Sequence, residues 1–287
     1  AIAYFHDALG ISTYGTPPSD PDQRASSIDI YNNDFHMFND DFVETDGGVH
    51  NVRVFNNRGV NSFHGGYSSQ PTFGGPIYFI RNILYHTTSS TSFKFSAHPA
   101  GLFVYHNTII NEHAVAEPYS NAHWRNNLFL GKNSAGIGVM TWANATDAYS
   151  SDYNGFRPNP GVDKQYRFIA PPKGEKVYEP KPGAMKTFAT LKELAAATGQ
   201  EQHGVELDYD IFEKLSPPTA TNRHFVYHAM DLNFKLKPGS KAVDAGVPIP
   251  TVNDGFAGKA PDLGALEVGK PETKWGPRWL TWQPFYR

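Results

Sequence analysis

Short strands with alternating apolar and polar positions recur along the N-terminal half of the chain. Alternating β-branched or aromatic residues are typical of pleated strands that bury one face. Each segment closes on a polar residue, which is asparagine in all but the weakest case. Six segments align clearly and one weakly: Ile28–Asn33, Val52–Asn57, Ile77–Asn82, Leu102–Asn107, Ala122–Asn127 and Ala148–Asn154, with Tyr4–Asp7 as the weaker member.

The closing residues of successive segments lie 20 to 27 positions apart. A period of this length indicates a solenoid, in which each repeat stacks on the one before it. Asparagine tolerates a left-handed bend at the end of a strand, and stacked asparagine amides can bond from turn to turn. The pattern therefore predicts an asparagine ladder. Leucine-rich repeats have a similar period, but their Leu-x-x-Leu-x-Leu frame is missing.

On these segments the chain resembles the right-handed parallel β-helix proteins of the pectate-lyase-like superfamily. The resemblance implies an all-β solenoid over residues 1–160, in which each turn is a coil of three short strands. It also implies that residues 161–287 form an irregular extension that packs on the coil and caps it, as in secreted bacterial proteins of this type.

The C-terminal extension contains one predicted short helix. Thr190 and Glu193 form a capping box, and Gly199 can end the helix that follows. The rest of the extension is rich in proline and glycine and shows no strand alternation. Its segments Leu236–Gly246 and Pro261–Glu267 resemble the tail of many secreted bacterial β-helix proteins, and the resemblance implies that Asp244, Asp262 and Glu267 are turn and capping partners.

A second row of apolar residues lies two positions before the asparagines, on the face of each strand that should point outward. The favoured interpretation is burial under the C-terminal extension, and the alternative is stacking of exposed rings from turn to turn. The row consists of Tyr31, Phe55, Ile80 and Tyr105.

The chain also starts within a strand of the repeat, which would leave an unpaired sheet edge. We therefore expect further turns, from an N-terminal segment or from a second chain, to stack before residue 1.

The composition narrows the classes of function. The 25 basic and 28 acidic residues give a net charge of −3, which is unlike the basic surface of a nucleic-acid binder. Cysteine is absent, so a thiol nucleophile and a cysteine zinc site are excluded. Because no apolar run approaches the roughly 20 residues of a membrane helix, we predict no membrane span.

The densest polar segment is the run from Asn39 to Gly48, and it supplies four candidate carboxylates. Alternation places Val43 and Thr45 on one face and two of the carboxylates on the other. Three interpretations are open: a solvated turn, a Ca²⁺ site built from oxygen ligands, or an acid and base pair for glycoside cleavage. The candidates are Asp40, Asp41, Glu44 and Asp46.

Residues at similar distances before successive ladder asparagines should stack along one outer groove. By this count a polar column runs through four turns, with two further candidates on its flank. The column consists of Glu44, Gln70, Lys94 and His113, flanked by His64 and Tyr67.

Two further residues are candidates for substrate binding. Trp142 falls in the same column, as a sugar platform or as a packed aromatic. Arg81 lies just before a ladder asparagine, which favours a corner role, and is kept as a substrate-binding candidate.

The resemblance implies a carbohydrate-active enzyme that is exported to the periplasm or the outside of the cell. In the favoured interpretation it hydrolyses an acidic polysaccharide, with two of Asp41, Glu44 and Asp46 as the acid and base. The Asn39–Asp41 run resembles the paired aspartates of polygalacturonase-type hydrolases. Lys94 would then help to bind the sugar.

The alternative enzyme is a Ca²⁺-dependent polysaccharide lyase. Lys94, or else His64 or Tyr67, would remove the proton beside a uronate carboxylate. In this interpretation the neighbouring phenylalanines lower the pKa of Lys94 by desolvation. A non-catalytic glycan-binding solenoid is the third possibility.

Overall fold

The chain forms a parallel β-solenoid of about six turns, as predicted. The computed structural model describes residues 7–11, 18–89, 91–115, 117–132, 136–172, 174–176, 184–219, 222 and 224–277. Residues 1–6, which include most of the weak first segment and the predicted start within a strand, lie outside the described residues.

Strands are short because the chain must bend about three times in each turn. The first three turns contain β1 (Ser26–Tyr31), β2 (Asp34–Phe38), β3 (Val43–Glu44), β4 (His50–Phe55), β5 (Arg58–Ser62), β6 (Tyr67–Ser69), β7 (Ile77–Ile80), β8 (Ile83–Thr87) and β9 (Phe93–Phe95). The next three contain β10 (Ala100–Tyr105), β11 (Thr108–Ile110), β12 (Ser120–Arg125), β13 (Leu128–Leu130), β14 (Met140–Ala143), β15 (Tyr149–Asp152), β16 (Gly155–Arg157) and β17 (Tyr166–Ile169).

The extension adds β18 (Lys186–Phe188), α1 (Leu191–Thr198), β19 (Val205–Glu206), β20 (Phe212–Lys214) and β21 (Asn233–Leu236). Three 3₁₀ helices span Pro21–Gln23, Tyr209–Ile211 and Ala229–Asp231. Among the described residues, no helix combines the length and apolarity that crossing a membrane would require.

Corresponding strands of successive turns pair in parallel and form the walls of the coil. The first sheet has the order β1-β4-β7-β10-β12-β15, and the second has β2-β5-β8-β11-β13-β16 with β19 at its end. The third sheet is β3-β6-β9, and further along the coil β14-β17 with antiparallel β18. Registers such as Ile28 with Val52 and Val52 with Ile77 repeat the spacing read from the sequence.

The predicted asparagine ladder is present between the first and second sheets. Each side-chain amide donates to the carboxamide oxygen of the next turn, for example Asn57 to Asn82 and Asn82 to Asn107, both at 3.0 Å. The last member, Asn154, donates at 2.8 Å to the buried Glu201, which caps the ladder.

One detail of the ladder prediction is wrong. The left-handed residue of each corner is the one before the ladder asparagine, not the asparagine itself. Asn32, Asn56 and Asn126 hold this position in three turns, with φ between 54° and 58°, and Arg81 holds it with φ of 55°. The corner role favoured for Arg81 is therefore confirmed.

The predicted helix is confirmed and closes the end of the coil. Thr190 Oγ1 accepts the Glu193 N–H at 3.2 Å, and Gly199 ends α1 with φ of 73°. Leu191 and Leu194 of α1 pack onto the aliphatic and aromatic core of the coil. The structural roles predicted for Asp244, Asp262 and Glu267 are also confirmed, since each accepts backbone N–H groups.

The extension makes its main apolar contacts on a different face from the one predicted, although its residues Thr251 and Val252 line a cavity beside Phe55 and Ile80 of the row. Its main apolar contacts are with the outer side of the second sheet, where Ile83, Ile110 and Leu128 pack against segments such as Phe234–Leu236. Tyr31 is 48% exposed and stacks on Phe55 with ring centroids 4.9 Å apart. The alternative of turn-to-turn stacking is thus correct at this end of the row.

Candidate functional site

The third sheet carries a row of polar side chains on its outer face. Glu44, Ser68 and Lys94 stand side by side in β3, β6 and β9. Val43 and Thr45, the neighbours of Glu44, are fully buried, which confirms the predicted alternation. The row places a carboxylate and an amine on successive turns of the same surface.

Asp46 lies next to this row and is held rigidly. Its Oδ1 atom accepts the Ser68 hydroxyl at 2.8 Å and the Gln70 backbone N–H at 2.7 Å. The Gln70 side chain in turn donates to Ser96 at 2.5 Å. Asp46 itself is only 1% exposed.

Lys94 joins the two aspartates that precede β3. Its ammonium lies 2.9 Å from Asp40 Oδ1 and 2.9 Å from Asp41 Oδ2. His64 is half-exposed, and its Nδ1 atom lies 3.3 Å from the same oxygen of Asp40. One lysine therefore serves two carboxylates, and a histidine stands at the rim.

Residues 7–11 add a fifth carboxylate to the site. They run beside β3, with the Leu9 carbonyl accepting the Glu44 N–H at 2.8 Å. Asp7 Oδ1 accepts the backbone N–H of Asp41 at 3.0 Å. The prediction that Asp7 closes a ladder segment is therefore wrong, because this stretch pairs with the third sheet rather than with the first.

Burial makes ionisation of three of the carboxyl groups, Asp41, Glu44 and Asp46, unfavourable. It raises the pKa of Asp41 to about 7 against the opposing attraction of Lys94, and the pKa of Asp46 to about 6. The pKa of Glu44 rises to about 8 through burial, repulsion from Asp46 and its hydrogen bond with Asp7. The cluster thus holds protons near neutral pH, where ordinary carboxyl groups have lost them.

The predicted lowering of the Lys94 pKa is wrong. Burial by itself does lower the pKa of this amine, but the ion pairs with Asp41 and Asp40 outweigh burial and raise it above the ordinary value. Lys94 is therefore a fixed cation near neutral pH and has no free electron pair with which to accept a proton.

Two buried oxygens of the cluster have no hydrogen-bond partner among the described residues, Asp41 Oδ1 and Asp46 Oδ2. Gly65 makes room for the first of them. A Cβ atom at position 65 would lie 2.1 Å from Asp41 Oδ1 and would displace the carboxylate. Unpaired buried oxygens are uncommon in folded proteins and cluster at functional sites.

Three of the carboxylates could hold a cation. Asp7, Asp41 and Glu44 each offer an oxygen, and these oxygens lie within 4.8 Å of one another. Ca²⁺ prefers oxygen ligands at about 2.3–2.6 Å, so these residues fit a hard cation by type and by spacing.

The structure removes three predicted residues from the groove because their side chains point into the coil. Tyr67 is fully buried, with its hydroxyl donating at 3.1 Å to the Ile83 carbonyl. His113 packs against Phe93 and Trp124, and burial lowers its pKa to about 3. Trp142 is also in the core, with Nε1 donating at 3.0 Å to Ser151.

Two other candidates are not in the core, but they lie at positions other than the predicted ones. Gln70 is on the expected face but is level with Asp46, because Ser68 takes the place opposite Glu44. Arg81 lies on a different wall of the coil, at the end of β7 in the first sheet.

The sequence interpretation does not identify Asp7, Ser68 and Ser96 as parts of the site. One signal was available for Ser68. Aligning the apolar pattern of Tyr67–Ser69 on Phe93–Phe95 places Ser68 beside Lys94, as the observed register does.

No family model, curated protein or solved structure matches the chain. The fold defines the chain as a parallel β-solenoid, with the acidic site on the outer face of its third sheet.

Proposed function

We propose that the protein is a glycoside hydrolase that degrades a polysaccharide at the carboxylate cluster of the third sheet. The observation that carries the proposal is the clustering of Asp41, Glu44 and Asp46 around Lys94 on one outer face. Glycoside hydrolysis requires one carboxylic acid and one carboxylate on opposite sides of the scissile bond.

Glu44 is the proposed general acid. It is half-buried, whereas Asp41 and Asp46 are almost fully buried, so it is the member of this trio best placed to reach a glycosidic oxygen. Its pKa of about 8 keeps the proton in place at neutral pH. A catalytic acid works best when its pKa lies near the operating pH.

Asp46 is the proposed general base. Its pKa of about 6 is the lowest of the three raised values, so it is the first of them to ionise as the pH rises. Ser68 and Gln70 fix one oxygen and leave Oδ2 for a water molecule. Because Asp46 is so deeply buried, the proposal places water and not the sugar ring against it, which favours inversion at the anomeric carbon.

The test is incubation with a panel of polysaccharides, followed by reducing-end release and by the ultraviolet absorbance of unsaturated products. We expect reducing ends without absorbance, and a loss of about 10²–10⁴-fold in rate for Glu44→Gln. Asp210→Asn, an exposed carboxylate far from the cluster in sequence, is the matched control and should keep full activity. Equal activity of Glu44→Gln and the wild-type protein would refute the assignment.

The second candidate is a Ca²⁺-dependent lyase, which is favoured by the three converging oxygens of Asp7, Asp41 and Glu44. Lys94 is engaged as a cation and Tyr67 is buried, so His64 beside Asp40 would be the base. Bound Ca²⁺ would neutralise the uronate carboxylate. Ultraviolet-absorbing products that EDTA abolishes would establish this function in place of hydrolysis.

Two further predictions belong to the proposal. The substrate is an acidic polysaccharide, although Lys94 supplies no unpaired charge to attract it, so recognition of the acidic group needs another cation. A polymer-degrading enzyme meets its substrate outside the cytoplasm, so we propose export to the periplasm or beyond. A protein that binds glycans and cleaves none would be the non-catalytic solenoid.

A further inference from the structure

Arg81 lies in a cavity on the first sheet, away from the carboxylates of the third sheet. The cavity has a volume of about 460 Å³, within the range of about 300–1,000 Å³ that is common for small-ligand sites. Its lining combines polar and apolar side chains of the first sheet with Thr251 and Val252 of the extension. The residues that matter here are Asn51, Arg53, Phe55, Asn56, Tyr78 and Arg81.

The Arg81 guanidinium is only partly used by the protein. Nη1 donates to the Ala265 carbonyl at 3.1 Å, and a guanidinium has five N–H donors in all. Within the described ranges, no carboxylate forms an ion pair with it. The nearest acidic groups, Asp262 and Glu267, use their oxygens to accept backbone N–H groups.

The backbone at this position does not call for arginine. Arg81 has φ of 55°, a left-handed conformation that disfavours most side chains and that asparagine tolerates. Asparagine holds the equivalent corner at Asn32, Asn56 and Asn126. The arginine therefore contributes something other than the turn.

The second arginine of the cavity is already neutralised. Arg53 forms two 2.6 Å hydrogen bonds with the carboxylate of Asp29. Among the described residues, the cavity therefore offers one cation without an ion-pair partner, Arg81. Such a site suits a group of single negative charge, such as a carboxylate or a sulfate ester, better than a phosphate monoester.

The apolar wall is held in place by stacking. Phe55 lies 4.9 Å from the Tyr31 ring, and Tyr78 lies 5.3 Å from Phe103, centroid to centroid. A stiff apolar wall beside amide groups suits a sugar ring, which has apolar C–H groups and many hydroxyls.

We propose that this cavity is a second carbohydrate site, in which Arg81 binds the carboxylate or sulfate group of an acidic saccharide. The class of ligand rests on the proposed function, whereas the site itself rests on the geometry of the first sheet. The site would supply a cation that is not engaged in an ion pair, whereas Lys94 of the acidic cluster is, and it would hold the polymer at a distance from the cleavage centre.

The test measures binding by calorimetry to short oligosaccharides of polygalacturonate and of chondroitin sulfate, with neutral dextran oligosaccharides as the comparison. The protein carries Glu44→Gln throughout, so that cleavage does not disturb the titration. We expect at least one of the acidic oligosaccharides to bind and dextran not to bind. The preference between the two separates a carboxylate from a sulfate ligand.

Arg81→Asn should weaken acidic binding by about tenfold or more, because a charge-assisted contact is lost. The variant should stay folded, since asparagine suits this corner, and a thermal melt checks this. Arg125→Asn, on β12 of the same sheet, is the control and should bind as before. Unchanged binding by folded Arg81→Asn, or equal binding of dextran, would overturn the proposal.

This experiment is independent of cleavage. A protein that cleaves polysaccharide but binds equally well with Arg81→Asn contradicts only the second site. A protein that cleaves nothing but loses acidic binding with Arg81→Asn contradicts only the proposed hydrolase.

Discussion

The asparagine ladder and the acidic cluster are both stacks of polar side chains on successive turns of one coil, but they differ in hydrogen bonding and charge. In the ladder, Asn107 accepts from Asn82 and donates to Asn127 and to the Phe79 carbonyl. In the cluster of five carboxylates, Lys94 forms ion pairs with only two, Asp40 and Asp41, and two buried oxygens have no partner among the described residues.

The comparison separates stabilising burial from functional burial. A buried amide that meets all of its partners adds to stability and fixes the register of the turns. A buried carboxylate that shares its counter-ion reduces stability, and its raised pKa is typical of functional sites. The fold tolerates the destabilising carboxylate cluster because the stabilising asparagine ladder runs from turn to turn along the coil.

The largest expected effect comes from breaking the ladder at its centre. Asn107→Ala removes hydrogen bonds to two neighbouring asparagines and to backbone carbonyls, and it leaves buried partners unpaired. We expect the free energy of unfolding, measured by chemical denaturation, to fall by about 3–5 kcal/mol. A loss of less than about 1 kcal/mol would mean that the ladder hydrogen bonds contribute little to the stability of the coil.

A substitution in the acidic cluster should instead raise the stability of the protein at high pH. Asp41→Asn keeps the shape and an oxygen for Lys94, but it cannot ionise. The folded-state pKa of Asp41 is about 7 and its ordinary value is 3.8, so the folded state binds this proton more tightly than the unfolded state. The stability of the wild-type protein should therefore fall as the pH rises through this window.

The variant should be more stable than the wild-type protein at pH 8, and this advantage should shrink by roughly 2 kcal/mol between pH 8 and pH 5. Denaturation of the two proteins at both pH values measures this difference in the free energy of unfolding. Taking the difference between variant and wild type cancels the titration of other buried groups such as His113 and Glu201. A variant that is less stable at pH 8 would show that Asp41 contributes to stability as an ion.

The smallest expected effect tests the space beside Asp41. The Cβ atom in Gly65→Ala would overlap Asp41 Oδ1, so the carboxylate that pairs with Lys94 must shift. We expect a stability loss of about 1–2 kcal/mol and a shift in the pH dependence of activity. Gly136→Ala adds a Cβ atom where no atom of the described residues beyond its chain neighbours lies within 4 Å, but at a φ of 83° that strains alanine, so this control should lose some stability and leave the pH dependence unchanged.

The sequence predicts the coil better than it predicts the site. The ladder, the inward residues and α1 depend on local patterns that repeat or that have capping chemistry, so Asn57, Val54 and Thr190 all lie where expected. Counting back from the ladder was less accurate for the third sheet. Loops of unequal length separate that sheet from the ladder asparagines. The number of residues before an asparagine therefore does not determine which side chains of the third sheet lie side by side.

His113 and Gln70 illustrate the two kinds of error. The turn that contains His113 spans only 20 residues between ladder positions, and its side chain points into the core. Gln70 lies on the predicted outer face of the third sheet, but it is level with Asp46 and not in the row of Glu44 and Lys94. The position of Asp7 depends on pairing with β3 over a separation of 34 residues from Asp41, for which the local sequence contains no signal.

The most direct test of the central claim is the protonation state of Glu44. Carboxyl carbon NMR of protein labelled in glutamate, with the Glu44→Gln variant to assign the signal, follows this group across pH. The account predicts that Glu44 is protonated at pH 7 and titrates near pH 8. A carboxylate that is ionised at pH 7 and titrates near its ordinary value of 4.5 would contradict the account, because the cluster would then lack its proton donor.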